Sequence, residues 1–349
     1  MKRIKDFFWP IVGLVAVVWS VRLLYLKLQA EVAVDPAVRQ RLAEGGVLND
    51  LGVIASVIAD KLVGIPPTSY LLAFASTLVA YAALAWYDRI ALLHLNRHRG
   101  ISWLYISVTS FVTYALAHNI GASVFSGGMV RFRAYTAKGL NAAEVAVLVG
   151  LCSFTFGFGT VLLLGAVLVW EPEILAPLAS LSSAFDIGTT PTLLIGVALL
   201  ALCSLYVVGA WLHFPPLKIG GFELVYPRMP IVARQLFAAP LELLGAAGII
   251  YFALPHGADI TFKLVLGAFL LSFSAGLLSQ VPGGVGVMEA VFLAIMPQAP
   301  ATSVFAALLV WRLFYLVLPL LLSLPVVLLF ERSQLGRATK NLEPPPTLH

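Results

Sequence analysis

Apolar residues run along the chain in long blocks, separated by short polar and often basic interruptions. A helix needs about 20 mostly apolar residues to cross a bilayer. By that measure full crossings fall at about 9–28, 69–87, 142–170, 190–212, 235–254 and 303–330. Two further apolar stretches, 101–130 and 262–297, are interrupted, the first by HNIGASVFSGGMVRFR (His118 to Arg133) and the second by SQVPGGVGVMEAVF (Ser279 to Phe292). Between the first two spans, Asp35 to Lys61 is too polar to cross. Val47, Leu51, Ile54, Ile58 and Leu62 nevertheless recur there at helical spacing, which predicts an amphipathic helix that is either a surface helix or a packed connector.

The basic interruptions orient these elements, because Lys and Arg concentrate in short cytoplasmic loops. They are the N-terminus (Lys2, Arg3, Lys5), the 88–100 loop (Arg89, Arg97, Arg99), the segment after the first break (Arg131, Arg133, Lys138), the 213–234 loop (Lys218, Arg228, Arg234) and the tail (Arg332, Arg337, Lys340). The Trp170 to Gly188 loop has Glu171, Glu173 and Asp186 and no cation, so it is expected outside. A full crossing by 101–130 would put the basic loops on its flanks on opposite sides. A re-entrant hairpin that returns to the cytoplasm removes the conflict, and the same treatment of 262–297 keeps its flanks outside. The expected fold is therefore an all-α polytopic membrane protein with about six full spans and two re-entrant hairpins. It forms one transmembrane domain, 1–331, whose halves, about 9–170 and 190–330, are inverted repeats, followed by a cytoplasmic Pro-rich tail, 332–349.

Composition agrees with that class: of 349 residues, 60% are hydrophobic and 11% charged, against about a quarter charged in soluble domains. The net charge of +5 lies in small groups beside the spans, which makes it a topology signal and not a nucleic-acid surface. The N-terminus has the basic head of a signal peptide, but Leu28-Gln29-Ala30 lacks the small-x-small cleavage pattern, so a retained first helix is expected. Cys152 and Cys203 sit inside apolar runs and predict buried thiols. There is no HExxH, CxxC or GxSxG motif, and the six histidines are dispersed, so neither a metal nor a catalytic set is expected. The glycine run lacks the lysine of a phosphate-binding loop and has no strand before it, so no nucleotide or other cofactor is expected.

The candidate chemistry lies at the breaks. Irregular backbone at membrane depth is tolerated only where protein or a water-filled cavity covers it, so the breaks point to a cavity. At the second, Pro282 removes a donor and Gly283, Gly284 and Gly286 permit tight turning. At the first, Gly127 and Gly128 are read the same way. Glu242, Glu289 and Arg312 lie inside predicted membrane segments, where a charge faces a partner or a polar pathway. Glu289 and Arg312 are read either as a buried pair or as lining for a substrate. Arg312 and Tyr315 share a helical face at i, i+3 spacing. Arg22 is expected to snorkel to the surface. His118, beside Asn119 at the first break, is the one histidine placed to act, with helix packing or capping as the alternative. The first break ends in Arg131 and Arg133 and the second in Glu289. An amphiphile bearing both a phosphate and a cation would suit such a pair.

GGMVRFRAYTAKGLNAAEVAVLV, SQVPGGVGVMEAVFLAIMP and WRLFYLVLPLLL resemble the transmembrane domain of the bacterial lysylphosphatidylglycerol flippase/synthetase family, over about residues 70 to 330. The resemblance implies a phospholipid translocase that moves aminoacylated phosphatidylglycerol, such as lysylphosphatidylglycerol, to the outer leaflet. Positive lipids there repel cationic antimicrobial peptides, which gives resistance. Carried over residue by residue, the family's motifs fall on Gly128, Arg131, Arg133, Tyr135 and Gly139, and on Pro282, Gly283, Gly284, Gly286, Glu289, Arg312, Tyr315 and Pro319, with Glu242 at an often acidic position. The family's soluble synthase domain is absent from the sequence, which stops at NLEPPPTLH, so this polypeptide alone is expected to transport and not to synthesise. A membrane-embedded transferase or an accessory subunit of lipid or glycolipid synthesis is the alternative, and a small-solute carrier or scaffold a further one. The implied partner is membrane phospholipid; a separate synthase protein and a homo-oligomer stay open. The implied location is the bacterial cytoplasmic membrane, with both termini cytoplasmic.

Overall fold

The computed structural model describes residues 18–35, 38, 39, 42, 46–120, 123–180, 187–214, 217–219, 222–224, 227–255, 260–279 and 281–340. Helix α1 occupies residues 18–32. It is followed by α2 (Val47–Val63), α3 (Pro67–His94), α4 (Trp103–Ile120), α5 (Ser123–Thr136), α6 (Ala142–Trp170) and α7 (Thr189–Trp211). A two-strand ribbon, β1 (Leu217–Ile219) and β2 (Phe222–Leu224), pairs antiparallel with Leu217 opposite Leu224. Then come α8 (Met229–Ala253), α9 (Phe262–Leu278), α10 (Val287–Ile295), α11 (Ala301–Trp311) and α12 (Leu318–Lys340), with a π turn, Arg312–Val317, joining the last two.

Among the described residues, five helical runs are long and apolar enough to cross a membrane: α3, α6, α7, α8 and Ala301–Phe330. The protein is an integral membrane protein, all-helical apart from the short ribbon. Residues 9–17 of the expected first span lie outside the described residues, and α1 takes up the rest of it. The expected span at 235–254 starts earlier, at Met229, because Pro230 sits in the first turn, where its missing N–H costs no helical bond. Asn141 and Glu144 form a reciprocal cap that starts α6: the Glu144 N–H donates to Asn141 Oδ1 at 2.9 Å and the Asn141 N–H to Glu144 Oε2 at 2.9 Å.

Helix α8 is the centre of the molecule and packs against α3, α6, α9 and α11. Its Ala238, Ala239, Leu243, Ala246, Ala247 and Ile249 are fully buried. The crossing with α3 is close because Gly245 has no side chain: a Cβ there would lie 2.9 Å from both Ala80 N and Ser76 O. Small residues at membrane helix crossings allow this approach, since lipid supplies no hydrophobic drive between helices. Replacing Gly245 with valine should force the helices apart and cost about 1–3 kcal/mol, measured as a lower unfolding midpoint in detergent. By contrast α7 lies on the outside, exposing Leu194, Ile195, Leu202 and Leu205.

The two interrupted segments are helix pairs whose outer ends return to the same end of the molecule. In the first, the Tyr105 hydroxyl near the start of α4 donates to Ala134 O near the end of α5 at 2.7 Å, and Lys138 Nζ lies 4.6 Å from the Tyr105 ring. That end also gathers the basic loops, with Arg97 bridging Glu144 at 2.6 Å and Arg228 donating to Asn96 Oδ1 at 3.2 Å. In the second, α9 starts where Lys263 bridges Glu171 at 2.7 Å, and α10 packs against the 3-10 turn Ala176–Ser180 that follows Glu171.

Helix α2 forms as the apolar spacing predicts and packs through Ile54 and Ile58 with α1 and Ala306 of α11. Asp50 on α2 accepts from the Tyr25 hydroxyl at 2.8 Å and from Gln29 Nε2 at 3.0 Å. Glu31 of α1 reaches across to cap the start of α11, accepting from the N–H groups of Ala301 and Thr302 and from the Thr302 hydroxyl.

Candidate functional site

Charged and polar side chains inside the membrane-spanning region form three groups that touch one another. The first is centred on Asp88, which is wholly buried on α3. Arg131 of α5 forks onto it, with Nη2 at 2.7 Å and Nε at 3.1 Å from Oδ1, and the Tyr135 hydroxyl donates to Oδ2 at 2.8 Å. The Cys152 thiol of α6 lies 3.5 Å from Oδ1. The two ions thus satisfy each other in a place where an unpaired charge would be very costly.

The second group surrounds Tyr315 in the π turn. Its hydroxyl donates to Glu242 of α8, which is 1% exposed. The Tyr315 ring stacks with His118 of α4, centroids 5.3 Å apart at 19°, and with Trp311, 5.2 Å apart at 20°. A π turn opens the helical ladder by one residue, here with the Leu318 N–H donating to Leu313 O, and leaves carbonyls needing other donors. Tyr81 of α3 supplies one, at 3.0 Å to Tyr315 O, and Asn119 of α4 another, at 3.1 Å to Leu316 O.

The third group holds the break between α9 and α10. Gly283 and Gly284 both have φ +62° and Gly286 has φ +83°, values that side chains rarely adopt, so the sequence PGGVG suits this turn. Glu289 accepts from the Gly286 N–H at 2.7 Å and from Arg312 Nε at 2.6 Å. Arg312 Nη2 lies 2.5 Å from the same carboxylate, as an ion pair without hydrogen-bond alignment, and Nη1 donates to Gly283 O at 3.0 Å.

These groups connect. The guanidinium of Arg131 lies 4.8 Å from the Tyr114 ring, Tyr114 packs on His118 at 5.5 Å, and His118 on Tyr315. Tyr315 and Arg312 belong to the same π turn. One polar line therefore runs from Asp88 through Arg131, Tyr114 and His118 to Tyr315 and Glu242, and the π turn joins it to Arg312 and Glu289.

Two expectations need correction. Arg131 and Glu289 do not share a site, because each is neutralised by a partner in its own half, Asp88 and Arg312. Gly127 and Gly128 do not break the backbone: α5 runs through them, and its separation from α4 falls after Ile120, where residues 121–122 lie outside the described residues. Gly127 instead allows close packing, since a Cβ there would lie 3.1 Å from Thr113 Cγ2. Arg133 lines an apolar groove of about 200 Å³ between α4, α5 and α12, together with Val108, Val112, Met129 and Val326.

Pro282 opens the turn of the second break, and Gly139, at φ +86°, ends the turn after α5. Pro319 lies buried in α12. Asp88 is the residue that the sequence reading missed. In the sequence the apolar run stops at Tyr87, and DRIALLHLNRHRG reads as a basic loop, whereas α3 continues to His94 with Ile90, Ala91 and Leu92 buried. Extending the helical periodicity through those three apolar residues would have placed Asp88 inside.

No family model matches the chain. The chain is similar to the uncharacterized protein slr0712 of Synechocystis sp., with 29% identity over 289 residues, 81% of this chain and 84% of that protein. It is 28% identical to the inner membrane protein YbhN of Escherichia coli over 267 residues, 75% of this chain and 80% of YbhN. Over 123 residues, 34% of this chain but 14% of the other protein, it is 32% identical to the phosphatidylglycerol lysyltransferase of Bacillus subtilis. The chain is thus an integral membrane protein similar over most of its length to an inner membrane protein, and over about a third of its length to a lysyltransferase of phosphatidylglycerol.

Proposed function

We propose that the chain is a phospholipid translocase of the bacterial cytoplasmic membrane, which passes a lipid headgroup between leaflets while the acyl chains stay in the bilayer. The supporting observation is the buried polar line that joins the two interrupted helix pairs. Such a line is expensive in a protein that merely spans the membrane, and intramembrane ionisable residues usually mark a substrate or ion path. In this reading the α4–α5 and α9–α10 pairs are re-entrant hairpins entering from opposite faces, α1 supplies a sixth span, and the two halves rock about the line. The basic end, with Arg97, Arg228 and Lys138, then lies in the cytoplasm together with both termini. Arg131, Arg312 and the groove residue Arg133 would guide the phosphate.

The partial similarity to a phosphatidylglycerol lysyltransferase favours an aminoacylated phosphatidylglycerol, lysylphosphatidylglycerol among them, as cargo for the outer leaflet, with resistance to cationic peptides as the consequence. The test is reconstitution into vesicles containing nitrobenzoxadiazole-labelled phosphatidylglycerol, with and without a lysyl headgroup. The protein should bring inner-leaflet label within reach of external dithionite, and Arg312→Ala should slow this at least tenfold. Label protected as well as in protein-free vesicles would overturn the reading, and chemical conversion of the lipid would replace it with a transferase.

A further inference from the structure

Glu242 stands apart from the other buried acids. Asp88 is held by Arg131 and Glu289 by Arg312, but among the described residues no cation lies within ion-pair distance of Glu242. One of its oxygens accepts from Tyr315; the other, Oε2, is enclosed with no donor in hydrogen-bond alignment, the Tyr87 hydroxyl facing the carboxylate but donating to Ala239 O at 3.5 Å. Two more enclosed polar atoms without partners belong to the rings stacked on Tyr315, His118 Nδ1 and Trp311 Nε1. The helices around Glu242 do not supply a counter-charge. Helix α3 brings the neutral hydroxyls of Tyr81 and Tyr87 and the already paired Asp88, and the ionisable group α6 carries in this region, the Cys152 thiol, is itself bonded to Asp88. The π turn brings Tyr315 and the already paired Arg312, and the cation of α9, Lys263, is paired with Glu171. On α4, His118 and Tyr114 approach through their rings.

A carboxylate enclosed in this way, with tyrosine hydroxyls but no cation beside it, would pay much of the cost of desolvation, whereas a carboxylic acid pays little. We propose that Glu242 is a proton-binding site, loaded in this closed arrangement, whose proton release is coupled to opening of the translocation path. The coupling follows from connectivity: the hydrogen-bond donor to Glu242 is in the same π turn as Arg312, which holds the Gly283–Gly286 break closed. A charged Glu242 needs water or a cation, and admitting either separates Tyr315 from its stacked neighbours and moves that turn. The coupling half of this proposal rests on the translocase reading; the proton site itself does not.

Two measurements test it separately. Infrared difference spectra of the purified protein across a pH titration should contain a carboxylic-acid carbonyl band that Glu242→Gln removes and Tyr315→Phe shifts in frequency. No band depending on Glu242 would overturn the proton site, whatever happens to lipid. In vesicles clamped at zero potential with valinomycin and potassium, one proton per labelled lipid across a one-unit pH gradient should hold the label about tenfold away from an even distribution. Glu242→Gln should return it to even. An even distribution with the wild-type protein, reached rapidly, would overturn the coupling, whereas no redistribution at all would overturn the translocase reading and leave the infrared result to decide the proton site.

Discussion

Replacing Arg131 with alanine should destabilise the protein by about 3–5 kcal/mol, because it strands Asp88 as an uncompensated buried charge. The loss is one of pairing, not of packing. Arg131 is 4% exposed and makes both guanidinium contacts to one carboxylate. The double variant Asp88→Asn, Arg131→Gln should therefore recover much of the stability, and a thermal or denaturant unfolding series in detergent measures all three. If the single variant costs no more than the double, the two residues are not energetically coupled. If the double variant is stable yet moves no labelled lipid, the pair serves the path as well as the fold.

The second large effect is expected at Glu289, whose two oxygens do separate work. Removing both, in Glu289→Ala, leaves Arg312 without its counter-ion and the Gly286 N–H without its acceptor. The cost should approach the 3–5 kcal/mol of a broken buried pair, plus about 1–3 kcal/mol for the orphaned donor. Glu289→Gln keeps an acceptor for Gly286 but not the charge, so it should lose the first contribution and retain the second. Unfolding midpoints of the two variants give the difference, and equal losses would mean that the N–H contact contributes nothing. Both should also unfasten the Gly283 carbonyl from Arg312, which limited proteolysis within the 279–287 turn would report as faster cleavage.

How much of this was legible in the sequence depends on which force sets each feature. The apolar length of a span is a local property, so α6 at Ala142–Trp170 and α7 at Thr189–Trp211 fall where the pattern places them. The turn at PGGVG is also local, because positive φ needs glycine. The ends of helices were less legible: α3 outruns its apolar block by one and a half turns or more, and α8 starts inside a supposed loop. Pairing was legible in part: Glu289 with Arg312 was one of the two readings of those residues, and the structure forms that pair. Charge type told that Arg131 and Glu289 could hold the two charges of one headgroup, but partners are chosen by distance in the fold, and Arg131 forks onto Asp88, which had read as part of a loop. The π turn also left no mark, since WRLFYLV reads as ordinary helix and its open carbonyls are met by Tyr81 and Asn119 from elsewhere.

The pairing of the buried ions has an electrical consequence. Moving one elementary charge through the membrane field costs or yields about 2.3 kcal/mol per 100 mV. Asp88 with Arg131 and Glu289 with Arg312 are each neutral as units, and each unit ties one helix pair to its neighbour. A rearrangement that carries both members of a unit together displaces no gating charge. The scaffold would then change shape with little regard to membrane voltage, leaving the potential to act on the cargo and on the ions that travel with it.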